Sequence, residues 1–399
     1  MAEQRETVPD ATTGGGNGIR RALSIRIAAL YGAMFAVFGL VMPYFNPWLA
    51  ARGLTVAEIA VIAAVPHLVR PFSTPLIAYV ADRNSAHRGA LVVLAAVGAL
   101  GWIATALSSA FAVLLALQVV IGITAAMMPL VETVAMSGVK RHGIDYGRVR
   151  VWGSITFVAA TLLGGVAVSH FGLDVVMILI IPSALAAVVA AFMLPASDGA
   201  PAATDRPKLS LSAAIGLARD GRLLLLMLTI AAVQSSHGMM YTYGSVHWQS
   251  LGLSSTWIGA LWATGVIAEI LLFTVAARVT ALAGPSTLLL IGAAAAMLRW
   301  LVMAWDPPLW ALFVLQAGHA LSFGASHIGA MHALVRLAPE GQAGTAQALA
   351  SVATALAFAT ANACAGLVYG AHGPLAYLPM AAFAAIAAAS AMALGRRLT

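Results

Sequence analysis

Charged side chains stand inside long apolar runs of this sequence, where a charge is costly. In GVIAEILLF (265–273), Glu269 is the one residue of nine that does not suit hydrocarbon. An isolated charge at the centre of a bilayer costs about 2.5–3.5 kcal/mol even on insertion scales. Such residues usually face each other or a water-filled cavity, where they bind ions or relay protons. The others are Arg70, Glu132 and Arg299, with His67, His237, His319 and His327 in runs of the same kind.

Two sets of these residues lie in consecutive apolar runs, which antiparallel helices would place side by side. Glu132 lies in one run and Arg150 begins the next, so these two side chains can pair. Glu269 is followed by Arg299 in the next run and by His319 in the one after. Burial raises the pKa of a carboxyl group, a nearby arginine lowers it, and histidine titrates near neutrality. The second set therefore suits proton exchange, although static, structural ion pairs remain open alternatives for both sets.

Arg70 is the charged residue without an evident acidic partner. Glu132 is the only candidate partner among the acids inside the apolar runs of the first half of the chain. If Arg150 holds Glu132, Arg70 is free to meet a ligand, and the planar fork of an arginine binds a carboxylate through two hydrogen bonds. The sequence therefore favours an organic anion over a sugar as the ligand.

Further polar and aromatic side chains are candidates for lining a cavity. Gln316, His319 and Phe323 recur at helical spacing and share one helix face. Aromatic side chains would suit an aromatic ligand, but they pack equally well in a core or against lipid. No HxxxH pair or acidic cluster accompanies the histidines, so we expect no metal site. The remaining candidates are Gln234, Trp262 and Tyr31.

The overall composition places these residues in a membrane protein. Of the 399 residues, 61% are hydrophobic and 9% are charged, whereas a soluble domain carries about 25% charged residues. A strict apolar/polar alternation is absent, which argues against an outer-membrane barrel. The net charge of +7 is explained by basic loops on the cytoplasmic side of a lipid bilayer, so we expect no nucleic-acid partner.

Twelve hydrophobic runs of membrane-spanning length are predicted to be helices. They cover residues 24–47, 57–81, 89–108, 110–137, 151–169, 174–194, 222–248, 256–278, 285–305, 309–336, 343–370 and 375–395. The longest polar interruption follows the sixth run. This predicts an all-α integral membrane protein with twelve transmembrane helices in two pseudo-symmetric six-helix halves. The predicted parts are a disordered cytoplasmic tail (1–22), an N-terminal half (23–195), a cytoplasmic central loop (196–221) and a C-terminal half (222–399).

The basic residues are distributed unevenly between the two sides of the predicted bundle. With the N-terminus inside, Arg52 is the only basic residue in an outside loop, and Arg70 and Arg299 lie within spans. The other 18 of the 21 Lys and Arg residues face the cytoplasm. The positive-inside rule therefore predicts a multi-pass protein of the cell inner membrane with cytoplasmic N- and C-termini.

The two halves share a short internal repeat. GLTVAEIA (53–60) and GLSSTWIG (252–259) each precede a predicted span. Seventeen residues after the first Gly of each copy stand Arg70 and Glu269, so equivalent positions carry opposite charges near mid-helix. Two parallel six-helix repeats around a midplane cavity are a known transporter architecture.

Local motifs resemble those of a known family. The stretch AYVADRNSAHRG carries Asp82, Arg83 and Arg88 where the major facilitator superfamily has a Gly-x-x-x-Asp-Arg pattern and further basic residues between helices 2 and 3. In that family this loop gates the cytoplasmic side. PLVE (129–132), DYGRVRVWGS (145–154), GVIAEILLF and LRW (298–300) resemble the phenylpropionate permease branch, which is similar to the lactose and nucleoside proton symporters.

The resemblance implies roles for several residues. In the lactose-type relatives, an acid on helix 4 and an arginine on helix 5 bind substrate, which would be Glu132 and Arg150 here. Glu269, Arg299 and His319 resemble the proton-coupling cluster of those symporters. The activity that the branch implies is proton-coupled uptake of small organic solutes.

Together these observations predict a secondary active transporter that takes up a small organic solute with protons, with an aromatic carboxylate favoured as the substrate. A proton symporter of nucleosides or sugars, a drug or metabolite efflux antiporter, and a transport-dead receptor or scaffold are the alternatives. The chain has no GxxxxGK[ST] loop and no HExxH motif, so ATP-driven transport and enzymatic activity are not expected. We expect no cofactor and a monomer.

Overall fold

The computed structural model describes residues 13–195, 211–339 and 342–398, and this part of the chain is built from helices without strands. Twelve long helices, α1 to α12, follow one another in the order Thr13–Ala51, Val56–Arg83, His87–Ala106, Phe111–His142, Tyr146–Phe171, Val175–Phe192, Gly221–Ser250, Ser255–Thr274, Pro285–Met303, Leu309–Leu337, Ala343–His372 and Tyr377–Leu398. Two short helices, Leu211–Arg219 and Ala276–Leu282, lie between them.

The number of spans agrees with the sequence-based prediction. Eleven helices of the described part are long and apolar enough to cross a membrane, and the last of them, Gly344–Arg397, comprises both α11 and α12. A short 3-10 turn, Gly373–Ala376, separates these two. The prediction of an all-helical protein with twelve spans is therefore confirmed.

The predicted connecting segments are only partly described. The first helix begins at Thr13, within the segment 1–22 that the sequence predicted to be a disordered tail. Residues 1–12 and 196–210, which include most of the predicted central loop, lie outside the described residues. The end of that loop forms the short helix Leu211–Arg219, and α7 begins at Gly221.

The repeat read from the sequence has the same local conformation in both halves. Gly53 and Gly252 both adopt a left-handed backbone, with φ of 85° and 83°. This conformation suits glycine because it has no Cβ. Thr55 then caps α2 in a capping box with Glu58, and Ser254 caps α8. The two copies therefore place α2 and α8 after the same kind of turn.

The helices form two bundles that face each other. In the first bundle, α1 packs against α5 and α6, and α3 packs against α6. In the second, α7 and α9 pack against α12, and α7 also packs against α11. The bundles meet where α2 packs against α11 and α5 packs against α8. Any solute path between the halves is bordered by these two contacts.

Small residues allow α5 and α8 to approach closely at one end. A Cβ atom at Gly165 would lie 2.5 Å from the carbonyl oxygen of Ser255, and one at Gly259 would lie 2.6 Å from that of Thr161. Glycine at such crossings is a common device for tight helix packing in membranes. The seam between the halves is therefore tightest at this end of α5 and α8.

We call this end of the molecule the closed end, because hydrogen bonds join the two halves across it. The amide nitrogen of Asn46 donates to the carbonyl oxygens of Tyr241 and Thr242 at 3.2 and 2.8 Å, within a π-helical turn of α7. The hydroxyl of Tyr243 donates to the carbonyl oxygen of Val56 at 2.6 Å. Such bonds close the halves against each other on this side.

The opposite end, which we call the basic end, carries Arg20, Arg83, Arg141 and Arg396 near the helix termini. There the halves are separated by a cavity whose wall reaches the first residues of α5 and the last residues of α8. Gly147 and Thr274, which mark these positions, are exposed. The molecule is thus open at its basic end and closed at the other.

Candidate functional site

Two adjoining cavities lie between the halves. The central cavity, about 670 Å³, is bounded by α1, α5, α7, α8, α9 and α10. A second cavity of about 470 Å³, the arginine pocket, contains Arg70 and is bounded mainly by α1 to α4 and α6. Phe38, Met42 and Tyr241 belong to the walls of both. Both volumes lie within the range of about 300–1,000 Å³ that is usual for small-molecule sites.

Glu132 and Arg150 meet at the edge of the central cavity. The Nε atom of Arg150 lies 3.7 Å from Oε1 of Glu132, and the hydroxyl of Tyr146 donates to Oε2 at 2.7 Å. The guanidinium also lies 4.3 Å from the centroid of the Phe35 ring. Tyr146 and Arg150 stand four residues apart in the first turns of α5, so they share a helix face. Arg148 points elsewhere and forms an ion pair with Asp145 at 3.3 Å.

Two of the predicted lining residues do not face a cavity. Tyr31 is fully buried and packs behind Arg150, with its ring centroid 5.4 Å from the guanidinium carbon. Gln234 belongs to the wall of neither cavity. Both predictions identified the helix but not its rotation, which the sequence pattern left open. Trp262, in contrast, lines the central cavity, and its Nε1 atom donates to Oγ of Ser245 at 2.8 Å.

Glu269 lies beside His319 in the wall of the central cavity. Nε2 of His319 lies 3.5 Å from Oε2 of Glu269, and both side chains are largely buried. The Phe323 ring stacks on His319 at 5.1 Å between centroids, and His327 stacks on Phe323 at 5.9 Å. A π-helical turn, Ala320–Ala325, follows His319 and aligns this column of rings.

The structure does not bring Arg299 to Glu269 as an ion pair, so the alternative of a static Glu269–Arg299 pair is not what this conformation contains. Glu269 stands five residues from the basic end of α8, whereas Arg299 stands fourteen residues from that end of α9. At 1.5 Å per residue this separates them by about 13 Å in depth.

Arg299 is held by neutral groups instead. It is 4% exposed, and its two terminal nitrogens donate to Oγ of Ser322 at 2.6 Å and to Oε1 of Gln316 at 2.8 Å. The guanidinium also lies 4.6 Å from the Trp300 ring centroid. Nε2 of His237 lies 3.3 Å from the same Ser322 hydroxyl. The sequence analysis missed Ser322, although its spacing of three residues from His319 was a usable signal.

Arg70 faces the arginine pocket without a protein partner. Its side chain is exposed toward the pocket, and within the described residues it makes no hydrogen bond or ion pair. The walls are largely apolar and include the aromatic rings of Phe38, Phe45, Trp102 and Phe358. The His67 ring stacks on Phe358 at 4.0 Å between centroids.

The predicted gate residues lie at the turn between α2 and α3, at the basic end. Oδ1 of Asp82 lies 2.8 Å from Nε2 of the buried His87. Arg88 donates to the carbonyl oxygen of Phe192 at 2.7 Å, and its guanidinium lies 4.9 Å from that ring. Arg83 is exposed. The turn therefore ties the ends of α2 and α3 to the end of α6.

This two-bundle fold with a cavity between its halves defines a membrane transporter of the major facilitator type and not an enzyme. The chain belongs to the MFS_1 like family, whose profile matches residues 24–378.

Two known proteins and one solved structure are similar to this chain. It is 28% identical over 308 residues to the "Probable 3-phenylpropionic acid transporter" of Escherichia coli (strain K12), covering 76% of this chain and 80% of the relative. It is 30% identical over 329 residues to the maltose permease of Geobacillus stearothermophilus, covering 80% and 81%. A crystal structure of the nucleoside transporter NupG matches with a TM-score of 0.80 at 16% identity, covering 93% of this chain and 98% of that one.

Proposed function

We propose that this secondary transporter takes up a small aromatic carboxylate together with protons, by alternating access across the inner membrane. The observation that carries the proposal is Arg70, an accessible arginine without a partner among the described residues, in an apolar pocket that includes several aromatic rings. An uncompensated charge at membrane depth is costly. A ligand carboxylate would neutralise it and form the two parallel hydrogen bonds that the guanidinium offers.

The charges around the two cavities support an anionic ligand. Among the described residues, the arginines at the cavity walls are Arg70, Arg150 and Arg299. Against them stand Glu132, which is held by Arg150 and Tyr146, and Glu269, which lies beside His319. One positive charge remains when both carboxylates are ionised and the histidines are neutral. An incoming anion restores the balance.

The walls of the arginine pocket favour an aromatic ligand. Aromatic rings bury a large area and prefer offset or edge-to-face contact with other rings. Phe38, Phe45, Trp102 and Phe358 offer such contacts around Arg70. The E. coli relative, described as a probable 3-phenylpropionic acid transporter, makes that acid the natural first ligand to try.

Glu269 is the proposed proton carrier, with His319 as its neighbour. Their contact lies in the central cavity, which is open to the basic end and so to water. A carboxyl group whose neighbours change with conformation changes its proton affinity. Under the positive-inside rule the basic end is cytoplasmic, and the structure then corresponds to an inward-facing state that releases both substrate and proton.

A neutral, hydroxyl-bearing solute is the second candidate. Glu132, Arg150, Tyr146 and Gln316 offer hydrogen-bonding groups at the central cavity that suit hydroxyl groups. The maltose permease relative is 30% identical. A transporter of this kind would use the central cavity and leave Arg70 without a ligand partner.

Proton-coupled uptake in sealed vesicles distinguishes these candidates. The purified protein is reconstituted, and external pH is recorded while 3-phenylpropionate, its neutral amide, maltose or uridine is added. We expect the external pH to rise with the acid and not with the amide of the same shape. A rise with maltose or uridine alone would replace the anion proposal by the neutral-solute one. Solute flux without any pH change would contradict proton coupling, and acidification would indicate antiport.

A further inference from the structure

A buried glutamine in the arginine pocket lacks a hydrogen-bond partner. Gln118 of α4 is 4% exposed and belongs to the pocket wall. Its Nε2 atom is buried and has no hydrogen-bond partner among the described residues. An unsatisfied buried donor costs about 1–3 kcal/mol. Native proteins retain few such groups, and each one calls for an explanation.

Some of the other polar side chains of the pocket are already engaged by the protein, whereas the Tyr241 hydroxyl and the Trp102 ring nitrogen make no hydrogen bond within the described chain. The amide nitrogen of Asn46 donates to two carbonyl oxygens of α7 and so belongs to the seam at the closed end. The hydroxyl of Thr242 donates to Oδ1 of Asn362 at 3.1 Å, and the His67 ring is stacked on Phe358. Within the described chain, Gln118 is the residue of this pocket whose donor is both buried and unpaired, and Arg70 is its unpaired cation.

These two donors stand at different depths. Both α2 and α4 begin at the closed end, and Arg70 stands fourteen residues after Val56, whereas Gln118 stands seven residues after Phe111. The difference corresponds to about 10 Å along the bundle axis. Pro66 and Ile121, which by the same count lie between these two depths, contribute apolar wall to the same pocket. The pocket thus has a cationic end, an apolar middle and a neutral donor end.

We propose that Gln118 binds an oxygen substituent on the substrate ring, at the end of the ring away from the carboxylate. The preferred substrates are then arylalkanoic acids with a ring hydroxyl, such as 3-(4-hydroxyphenyl)propionate. This inference rests on the proposed function, since it requires the carboxylate to lie at Arg70. An acid side chain joined to a benzene ring has a length comparable to the depth difference between the two donors. A phenolic oxygen can both donate and accept, so it suits either orientation of the glutamine amide.

Gln118 makes the pocket selective because it lowers the affinity for acids whose ring carries an apolar substituent at the position that faces it. A ligand that places a methyl group there keeps the donor unpaired, whereas a hydroxyl satisfies it. One neutral hydrogen bond contributes about 1 ± 0.5 kcal/mol, and 1.4 kcal/mol is a factor of ten in affinity. We therefore expect a preference of up to about tenfold for the hydroxylated acid.

Calorimetric titration of the purified, full-length protein tests the assignment. The ligands are 3-(4-hydroxyphenyl)propionate and 3-(4-methylphenyl)propionate, which match in size, together with 3-phenylpropionate. The wild type should bind the hydroxylated acid up to about tenfold more tightly than the methylated acid. Gln118→Met, which keeps the length but removes the donor, should reduce this ratio to about one. The matched control is Gln234→Met, because Gln234 lines neither cavity; it should keep the wild-type ratio.

The outcomes separate the two proposals. If the acids bind but Gln118→Met keeps the wild-type ratio, the assignment of Gln118 is wrong and the function stands. If none of the three acids binds while maltose or uridine does, the proposed function fails, and this inference fails with it. Where Gln118→Met does not yield folded protein, the wild type alone decides, since equal affinity for the hydroxylated and methylated acids overturns the proposal.

Discussion

The two halves of the transporter each place an arginine in the membrane without a carboxylate partner, but they treat it differently. In the C-terminal half, Arg299 is 4% exposed and donates to Ser322 and Gln316. In the N-terminal half, Arg70 is accessible from its pocket and has no such partner within the described chain. The first arginine is part of the protein's own hydrogen-bond network. The second, in the function that we propose, offers its donors to a ligand.

From this difference we infer that Arg299 positions neighbouring side chains, whereas Arg70 binds the ligand. Arg299 fixes Gln316 and Ser322 around the turn of α10 that also carries His319. It therefore acts on the orientation of that helix and only indirectly on a ligand. Arg70 has no comparable structural task in this conformation. Replacing the two arginines should accordingly affect different measurements.

The largest effect is expected from Arg70→Gln. Removing the charge and the fork should weaken 3-phenylpropionate binding by about 100-fold, because a hydrogen bond to a charged group contributes about 1.5–3 kcal/mol. Arg70→Lys keeps the charge without the planar fork, so its affinity for 3-phenylpropionate should lie between those of the wild type and Arg70→Gln. Titration of the acid into each purified variant measures this. If Arg70→Gln binds the acid as tightly as the wild type does, Arg70 does not bind the ligand carboxylate, and the proposed difference between the two arginines is wrong.

Glu269→Gln should remove concentrative uptake while leaving exchange intact. With one proton per anion, a pH gradient of one unit supports an accumulation ratio of about tenfold, since 1.4 kcal/mol corresponds to that factor. In the variant the ratio should fall to about one, because glutamine cannot carry the proton. Radiolabelled acid in vesicles with an imposed gradient measures accumulation.

Exchange of internal unlabelled for external labelled acid serves as the control for Glu269→Gln. It requires the conformational change of the loaded protein but no net proton movement. If Glu269→Gln still accumulates the acid as the wild type does, Glu269 does not carry the coupled proton, and Glu132 is the next candidate.

Arg299→Met should reduce stability more than it reduces affinity. The substitution leaves the hydroxyl of Ser322 and the amide oxygen of Gln316 without their charged donor, which should cost about 1–3 kcal/mol. Thermal unfolding of the purified protein in detergent should show a transition lowered by several degrees, with binding of 3-phenylpropionate changed by less than about threefold. A full-length, stable variant that no longer binds the acid would show that Arg299 contacts the ligand.

The smallest effect concerns the seam at the closed end, where two tyrosines form a matched pair. The Tyr243 hydroxyl donates across the halves to Val56, and the Tyr44 hydroxyl donates within one half to Thr161, both at 2.6 Å. Tyr243→Phe removes about 1 kcal/mol from the state closed at this end alone, which should raise the population that is open at this end about fivefold. Tyr44→Phe should have less effect on this balance, since its bond does not cross the seam.

Thiol labelling provides the measurement for the tyrosine pair. Leu49 is fully buried at the closed end, so a Leu49→Cys protein in a Cys364→Ser background reports opening on that side. An impermeant maleimide should label it about fivefold faster after Tyr243→Phe. If Tyr44→Phe accelerates the labelling as much as Tyr243→Phe does, the effect reflects a general loss of stability and not the bond between the halves.

The fold was largely readable from the sequence because hydrophobic length is a strong constraint in a membrane. Spans such as 57–81 and 309–336 agree with Val56–Arg83 and Leu309–Leu337 to within a few residues. The breaks inside helices were not predicted. The π-helical turns Met240–Gly244 and Ala320–Ala325 lie within apolar sequence that carries no signal for an extra residue per turn.

The candidate site was only partly predictable, because sequence places a residue on a helix but does not fix the helix rotation or depth. Glu132 and Arg150 meet because the short turn between α4 and α5 limits their separation. Arg299 misses Glu269 because the two stand at different depths. Gln118 was overlooked because a single glutamine in an apolar run has no pattern; its importance comes from the pocket that other helices build around it.

The bonds across the closed end have a consequence for how the family can diverge. In three of them Asn46 and Tyr243 are the donors and the acceptors are main-chain carbonyl oxygens, at Val56, Tyr241 and Thr242; Ser169 and Thr256 are joined there through side-chain hydroxyls instead. A carbonyl oxygen is present whatever the side chain, so substitution at an acceptor position preserves the bond. Selection on these three bonds therefore falls on the donor side chain, and an alignment of homologues should show position 243 varying less than position 56.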